Sequence, residues 1–178
     1  MSIVLVGSTS GSITLQEPAV AGTTVLDLPA TTGTVMVSGN MPAFSAYGSS
    51  NQTVTSGTTT KLTLDTEIFD TNNNFASSRF TPTVAGYYQI NGKIRAQGTA
   101  TTANANLYKN GSLLIIGSYT AAAGGTVFGV VSTVTYLNGS TDYVELYGYA
   151  DATAGSPTFQ FIAIGNCCEM SGSLVRGA

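Results

Sequence analysis

The groups able to do chemistry in this chain are nine carboxylates, six cations and two cysteines, with no histidine among them. Without an imidazole there is no Ser-His-Asp or Cys-His relay, no His-ligated zinc and no ordinary proton transfer near neutral pH. Two carboxylate pairs lie close in sequence: Asp65 and Glu67 share one face of an extended segment, and Asp142 and Glu145 share a region. Paired acids can act as the general acid and base of glycoside hydrolysis, but nine acids spread over 178 residues produce such neighbours by chance. Cys167 and Cys168 have no base beside them to generate a thiolate nucleophile. The run Asp70-Thr-Asn-Asn-Asn74 places oxygen donors at alternate positions, as a calcium loop begins. Phe75 stands where that loop needs glycine and Thr81 where it needs a bidentate glutamate, so the run reads as Asn-rich turn chemistry. There is no G-x-G-x-x-G and no phosphate loop. The expectation is a protein that is not an enzyme, with no cofactor and no metal.

Composition narrows the class further. Charged residues make up 8% of the chain, against about 25% in ordinary globular proteins, while 43% is apolar. The surface must therefore be built from Thr, Ser, Asn, Gly and small apolar groups, and much of it is expected to be buried between subunits. The net charge is −3, and Lys61, Arg79, Lys93, Arg95, Lys109 and Arg176 are scattered. Binding to a nucleic-acid backbone needs clustered cations, so no nucleic acid is expected as a partner. No long apolar stretch is present, and the first residues lack a basic start, so neither a membrane span nor a secretory leader is expected. Neighbouring side chains on a strand point to opposite faces, which sets Cys167 and Cys168 against a mutual bridge. Both are expected reduced, as in a protein made in a reducing cytoplasm; a bridge between subunits is the alternative.

Short β-rich runs separated by Gly, Asn, Ser and Thr fill the sequence, without helical periodicity, so the chain is expected to be all-β. Asn110-Gly111 and Asn138-Gly139 accept the positive φ angles of two-residue turns and predict two hairpins. From Gly86 onward Tyr88, Ile90, Gly92, Ile94 and Ala96 fall on one strand face and should meet a core, with Tyr87, Gln89, Asn91, Lys93 and Arg95 opposite. The run from Thr126 to Leu137 is apolar on both sides, with Val127, Val131 and Leu137 on one and Phe128, Val130, Val134 and Tyr136 on the other. Phe159 and Phe161 alternate similarly with Ile162 and Ile164, and Tyr143, Tyr147 and Tyr149 alternate with Val144, Leu146 and Gly148. One face of a sandwich strand meets the core, so a doubly apolar strand needs a second cover, most simply another subunit. The predicted interface is Phe128, Val130, Val134, Tyr136, Tyr143, Tyr147, Tyr149, Ile162 and Ile164.

Between these strands lies a run with fixed aromatic, acidic and glycine spacing: Leu64, Asp70, Phe75, Phe80, Gly86, Tyr88 and Ile90. It resembles the signature of the complement-type globular head, the jelly roll shared with the tumour-necrosis-factor family. Leu64 and Ile90 stand where that family usually has Phe, and the gap from Phe75 to Phe80 is two residues shorter. The resemblance covers roughly residues 41 to 170. It implies a jelly-roll β-sandwich, and because members usually assemble as tight trimers it implies a homotrimer closed about a three-fold axis.

Residues 1–40 read as a separate β-rich arm, with strands expected at Ile3-Val-Leu-Val, Ser12-Ile-Thr-Leu, Thr24-Val-Leu-Asp-Leu and Thr34-Val-Met-Val. These are too few to close a core alone. The segment from Ile13 to Val35 resembles a stretch that recurs in structural proteins of tailed bacteriophages, ahead of head or tail-appendage modules. Gly39-Asn40-Met41-Pro42 is the expected joint to a jelly roll over 41–178. The resemblance implies a virion protein made in the bacterial cytoplasm, with itself and a capsid or other virion protein as partners. Extended, the arm spans roughly 130 Å, too short for a fibre that reaches a host. The expected function is therefore a trimeric capsid decoration, or cement, protein, with Ile13, Leu15, Val25, Leu26, Leu28 and Val35 as its capsid anchors. The runner-up is a receptor-binding tip or short fibre module whose jelly-roll loops contact a host-surface glycan or protein.

Thiol titration of the denatured, unreduced protein is expected to return both cysteines. A covalent dimer on a non-reducing gel would contradict that reading.

Overall fold

Alternation of apolar with Thr, Ser and Asn residues produces strands along most of the chain. A computed structural model describes residues 3–16, 19, 20, 22, 23, 25, 30, 32, 33, 35–161 and 167–178. Its strands are β1 (Ile3–Val6), β2 (Ser12–Leu15), β3 (Ala43–Tyr47), β4 (Gln52–Thr53), β5 (Thr60–Lys61), β6 (Thr66–Asp70), β7 (Phe75–Ala76), β8 (Arg79–Phe80), β9 (Gly86–Gln97), β10 (Ala100–Lys109), β11 (Ser112–Ala121), β12 (Val127–Leu137), β13 (Val144–Ala152), β14 (Thr158–Phe159) and β15 (Glu169–Gly177). Two compact units result, Met1–Thr34 and Val35–Ala178.

In the first unit β1 and β2 form an antiparallel hairpin, pairing Ile3 with Leu15 through Val6 with Ser12. Most of the strand expected at Thr24–Leu28 lies outside the described residues. The strand expected at Thr34–Val37 is not formed: residues 35–37 are irregular and lead into a 3-10 turn at Ser38–Asn40. Asn40 closes that turn, its Oδ1 accepting from the Val37 N–H at 2.7 Å and its Nδ2 donating to the Val35 carbonyl at 3.3 Å. Local Asn chemistry outweighs the β-branched valines here. Met36 rests on the second unit's core, so these residues belong with the jelly roll.

The second unit is a two-sheet antiparallel jelly roll. One sheet runs β12-β9-β15-β3-β6, with β14 and β4 continuing beside β9; the other runs β11-β10-β13-β8-β7, with β5 on β13. The inward face of β9 is the expected one: Tyr88, Ile90, Ile94 and Ala96 are fully buried. Opposite them lie Ala103, Ala105 and Leu107 of β10 and Val144, Leu146 and Ala150 of β13. Small residues on β10 let the sheets close at the β11–β12 edge. A Cβ on Gly117 of β11 would run into the carbonyl oxygens of Ala105 and Val130, so only glycine fits there.

The motif residues gather at one end of this core. Phe44 stacks on Phe80 at 4.2 Å and on Phe75 at 5.2 Å, and Phe80 meets Tyr88 edge-on at 5.5 Å. The Tyr88 hydroxyl donates to the Val84 carbonyl at 2.6 Å, Leu64 and Ile90 are buried, and Gly86 opens β9 opposite Leu137 and Gly177. Asp70 holds the connecting loop, accepting from the Phe75 N–H at 2.7 Å and the Asn72 N–H at 3.3 Å.

One predicted hairpin forms and one does not. Asn110 and Gly111, both at positive φ, join β10 to β11 as a two-residue turn. Asn138-Gly139 instead carries the chain from β12 in one sheet to β13 in the other. The Asn138 side-chain oxygen accepts from the N–H groups of Ser140, Thr141 and Asp142, making a crossover corner where a hairpin was expected.

Replacing Phe80 by alanine removes the ring that bridges Phe44 and Tyr88. It is expected to lower the unfolding free energy by about 3–5 kcal/mol, measured by urea titration.

Candidate functional site

Of the acids singled out in the sequence, Asp65, Asp142 and Glu145 are each held by neighbouring groups. Asp65 accepts from the N–H and the hydroxyl of Ser49, both at 2.7 Å, and these bonds hold its carboxyl below the usual range, while Glu67 is exposed. Asp142 is likewise lowered, chiefly by the Asn110 amide at 2.7 Å and then by Lys109 at 2.9 Å. Glu145 is buried against Lys61 at 2.6 Å, with Arg79 at 3.8 Å.

What the fold does expose is apolar surface. On β12 Val127, Val131 and Leu137 enter the core, while Phe128, Val130, Val134 and Tyr136 stand outward at 54%, 57%, 52% and 41% exposure. Register continues this stripe onto β9, where Tyr136 faces Tyr87 with their rings edge-on at 5.6 Å, and Phe128 faces Arg95, whose guanidinium lies 5.8 Å from the ring centre. Beside the stripe runs a polar row. Gln89 donates to Ser132 at 2.8 Å, Ser132 donates to Asn91 at 2.9 Å, and Glu169 accepts from Ser45 at 2.8 Å and pairs with Lys93 at 2.9 Å. The outer face of the β9 sheet is thus a polar field bounded by an apolar edge that Ser132 interrupts between Val130 and Val134.

The predicted interface residues do not all meet on this face. Tyr143 precedes β13, and Tyr147 and Tyr149 lie on the outer side of the β10 sheet, across the sandwich from Phe128, Val130, Val134 and Tyr136. The crossover at Asn138-Gly139 is the cause, because it moves the chain to the other layer. There Tyr147 stacks on Tyr108 at 4.0 Å and Arg79 covers the Tyr143 ring at 4.6 Å. Ile162 and Ile164 lie outside the described residues.

Of the arm residues, Ile13 and Leu15 stand exposed on β2, and Val25 and Val35 are exposed outside any strand. Val35 falls within the jelly-roll unit, which corrects its assignment to the arm. Leu26 and Leu28 lie outside the described residues. The sequence reading missed Ile3, Val4, Leu5 and Val6, all exposed on β1. It also missed Leu113, Ile116 and Tyr119 on β11, whose spacing of three carries no strand signature.

The two cysteines are not bridged to each other. Cys168 is buried, donating to the Gln160 carbonyl at 3.3 Å and accepting from the Arg95 N–H at 3.2 Å. Burial pushes its thiol up to about 12 and the Tyr88 phenol, likewise buried, up to about 12.

No protein-family model matches the chain, and no curated protein matches it in sequence. Solved structures do resemble it. The globular domain of zebrafish complement 1qA superposes with a TM-score of 0.53 at 14% identity, over 77% of this chain and 98% of that one. Murine APRIL at pH 5.0 superposes with a TM-score of 0.57 at 8% identity, over 76% and 99%. At these identities the likeness is one of fold, and the fold is the complement-head and tumour-necrosis-factor jelly roll implied by the run from Leu64 to Ile90.

A thiol that keeps its proton more tightly when folded stabilises the fold fully below its unfolded value, and that stability is lost as pH rises. Stability is therefore expected to decline from about pH 9 to about pH 12, with Tyr88 adding to the upper part. In Cys168→Ala the decline is expected to be shallower in denaturant titrations across that range.

Proposed function

We propose that this chain is a non-enzymatic structural protein of a bacteriophage particle, a homotrimeric decoration protein that stabilises the capsid by bridging its subunits. The observation that carries self-association is the outward stripe of Phe128, Val130, Val134 and Tyr136 on a strand whose other side is already in the core. With only 8% charged residues the chain has little means of solvating such a stripe, and a cyclic arrangement covers it once in every copy. The arm supports attachment. A two-stranded hairpin is marginal alone, and β1–β2 exposes Ile3, Leu5, Ile13 and Leu15 together with free strand edges. Strand addition to a capsid subunit would satisfy those edges through main-chain hydrogen bonds and seat the alternate apolar side chains. Bridging then acts by mass action, because a partner that binds only the assembled lattice raises its stability with occupancy. The phage assignment rests on the resemblance of the segment from Ile13 to Val35 to phage structural proteins.

Val134→Asp places a carboxylate on the stripe, where burial without a partner is costly. Sedimentation is expected to show trimers of the parent chain and monomers of the variant, with circular dichroism unchanged because Val134 is half exposed in the single chain. A trimeric variant would remove the stripe from the interface. The purified chain is expected to bind expanded capsids and raise their rupture temperature, and a chain lacking residues 3–15 to lose both effects while staying trimeric. Capsids indifferent to the full chain would overturn the decoration role.

A further inference from the structure

On the outer side of the β10 sheet the central strand presents amides, while its two neighbours present rings and aliphatic groups. Asn104 lies directly between Tyr119 of β11 and Tyr149 of β13, and Asn106 between Ile116 and Tyr147. One register shift in the β10–β11 ladder, between Asn104 and Asn106, brings Ile116 and Tyr119, three residues apart, onto one face. The result is a trough of about 240 Å³, its walls two strand spacings, or roughly 10 Å, apart at the backbone. Every side chain lining it is neutral.

Asn104 points to an occupant. It is only 8% exposed, and its Nδ2 donates to the Asn106 Oδ1 at 3.3 Å, which orients the amide. That leaves the Asn104 Oδ1 buried without a donor among the described residues. Buried carbonyl oxygens are rarely left so, and this one calls for an O–H or N–H that the described residues do not supply.

We propose that the trough binds a neutral oligosaccharide, whose hydroxyls donate to Asn104 and whose apolar ring faces lie on Tyr119 and Tyr149. A pyranose has an apolar C–H face and a rim of hydroxyls, which matches aromatic walls around an amide floor. An anionic ligand would need a cation, and none lines the trough. An extended peptide gains affinity by adding to a free strand edge, whereas β10 is paired on both sides by β11 and β13. A purely apolar patch of a second copy would leave the Asn104 oxygen unpaired. The site lies on the sheet opposite the β12 stripe and does not depend on where in a particle the protein sits.

The test titrates the full chain with cellotriose, maltotriose, laminaritriose and tri-N-acetylchitotriose, followed by saturation-transfer NMR and calorimetry. At least one is expected to bind in the high-micromolar to millimolar range usual for small polar ligands. Tyr119→Ala and Asn104→Ala are each expected to weaken it about tenfold, and Ile68→Ala, at an exposed position of β6 on the other sheet, to leave it unchanged. Tyr119 is 64% exposed, so its replacement keeps the fold. The proposal is overturned if none of the four sugars binds, or if binding is indifferent to both trough variants. It is equally overturned if Tyr119→Ala breaks the assembly in sedimentation, since the trough would then be a contact between copies.

Discussion

A β-strand sends alternate side chains to opposite faces, and a two-layer sandwich has a single interior to offer them. β12 carries large apolar groups on both faces, so its inward set closes the core while Phe128, Val130, Val134 and Tyr136 remain in solvent. Among the described residues nothing in the jelly roll buries them, and their partners across the ladder are Arg95, Lys93, Gln89 and Tyr87 of β9. The same shortage recurs in the arm, where the hairpin has apolar residues on both strands and none of the arm's described residues is buried. The proposed self-association and attachment thus answer one physical condition: more apolar surface than the described residues enclose.

The jelly roll itself is held by a small number of specific contacts. Phe44, Phe75, Phe80 and Tyr88 form a contiguous aromatic cluster, and Asp70 fixes the loop that delivers two of them by accepting backbone N–H groups. That role accounts for an acid in a motif otherwise made of rings and glycine, and it needs no metal. At the other edge the glycine at 117 lets β11 meet the backbone of β10 and β12, which places Tyr119 and Ile116 beside the amide row.

The two outer faces differ in kind. That of the β9 sheet pairs Gln89, Ser132, Asn91, Lys93 and Glu169 with one another, and exposes Phe128, Val130, Val134 and Tyr136 at its edge. Such a surface suits a dry protein contact. That of the β10 sheet leaves a buried amide oxygen unmet between two phenol rings. A polar group in that condition suits a hydroxylated ligand better than an apolar protein surface, which is why the two faces receive different roles.

The residues in order were enough to establish the all-β class, the inward face of β9, the turn at Asn110-Gly111 and the double apolarity of β12. Each depends on backbone preference or on a period of two, both carried by adjacent residues. The resemblance carried by the run from Leu64 to Ile90 also implied the jelly roll, whose core takes up Leu64, Phe75, Phe80, Tyr88 and Ile90. Sequence could not tell that Asn138-Gly139 crosses between sheets, since the same dipeptide at Asn110-Gly111 makes a hairpin. It could not tell that Tyr147 and Tyr149 lie across the sandwich from Phe128 and Val134, that Phe44 completes the aromatic cluster, or that a bulge aligns Ile116 with Tyr119. Those features follow from which strands pair and in what register, and pairing is decided by hydrogen bonds and packing between residues far apart in the chain.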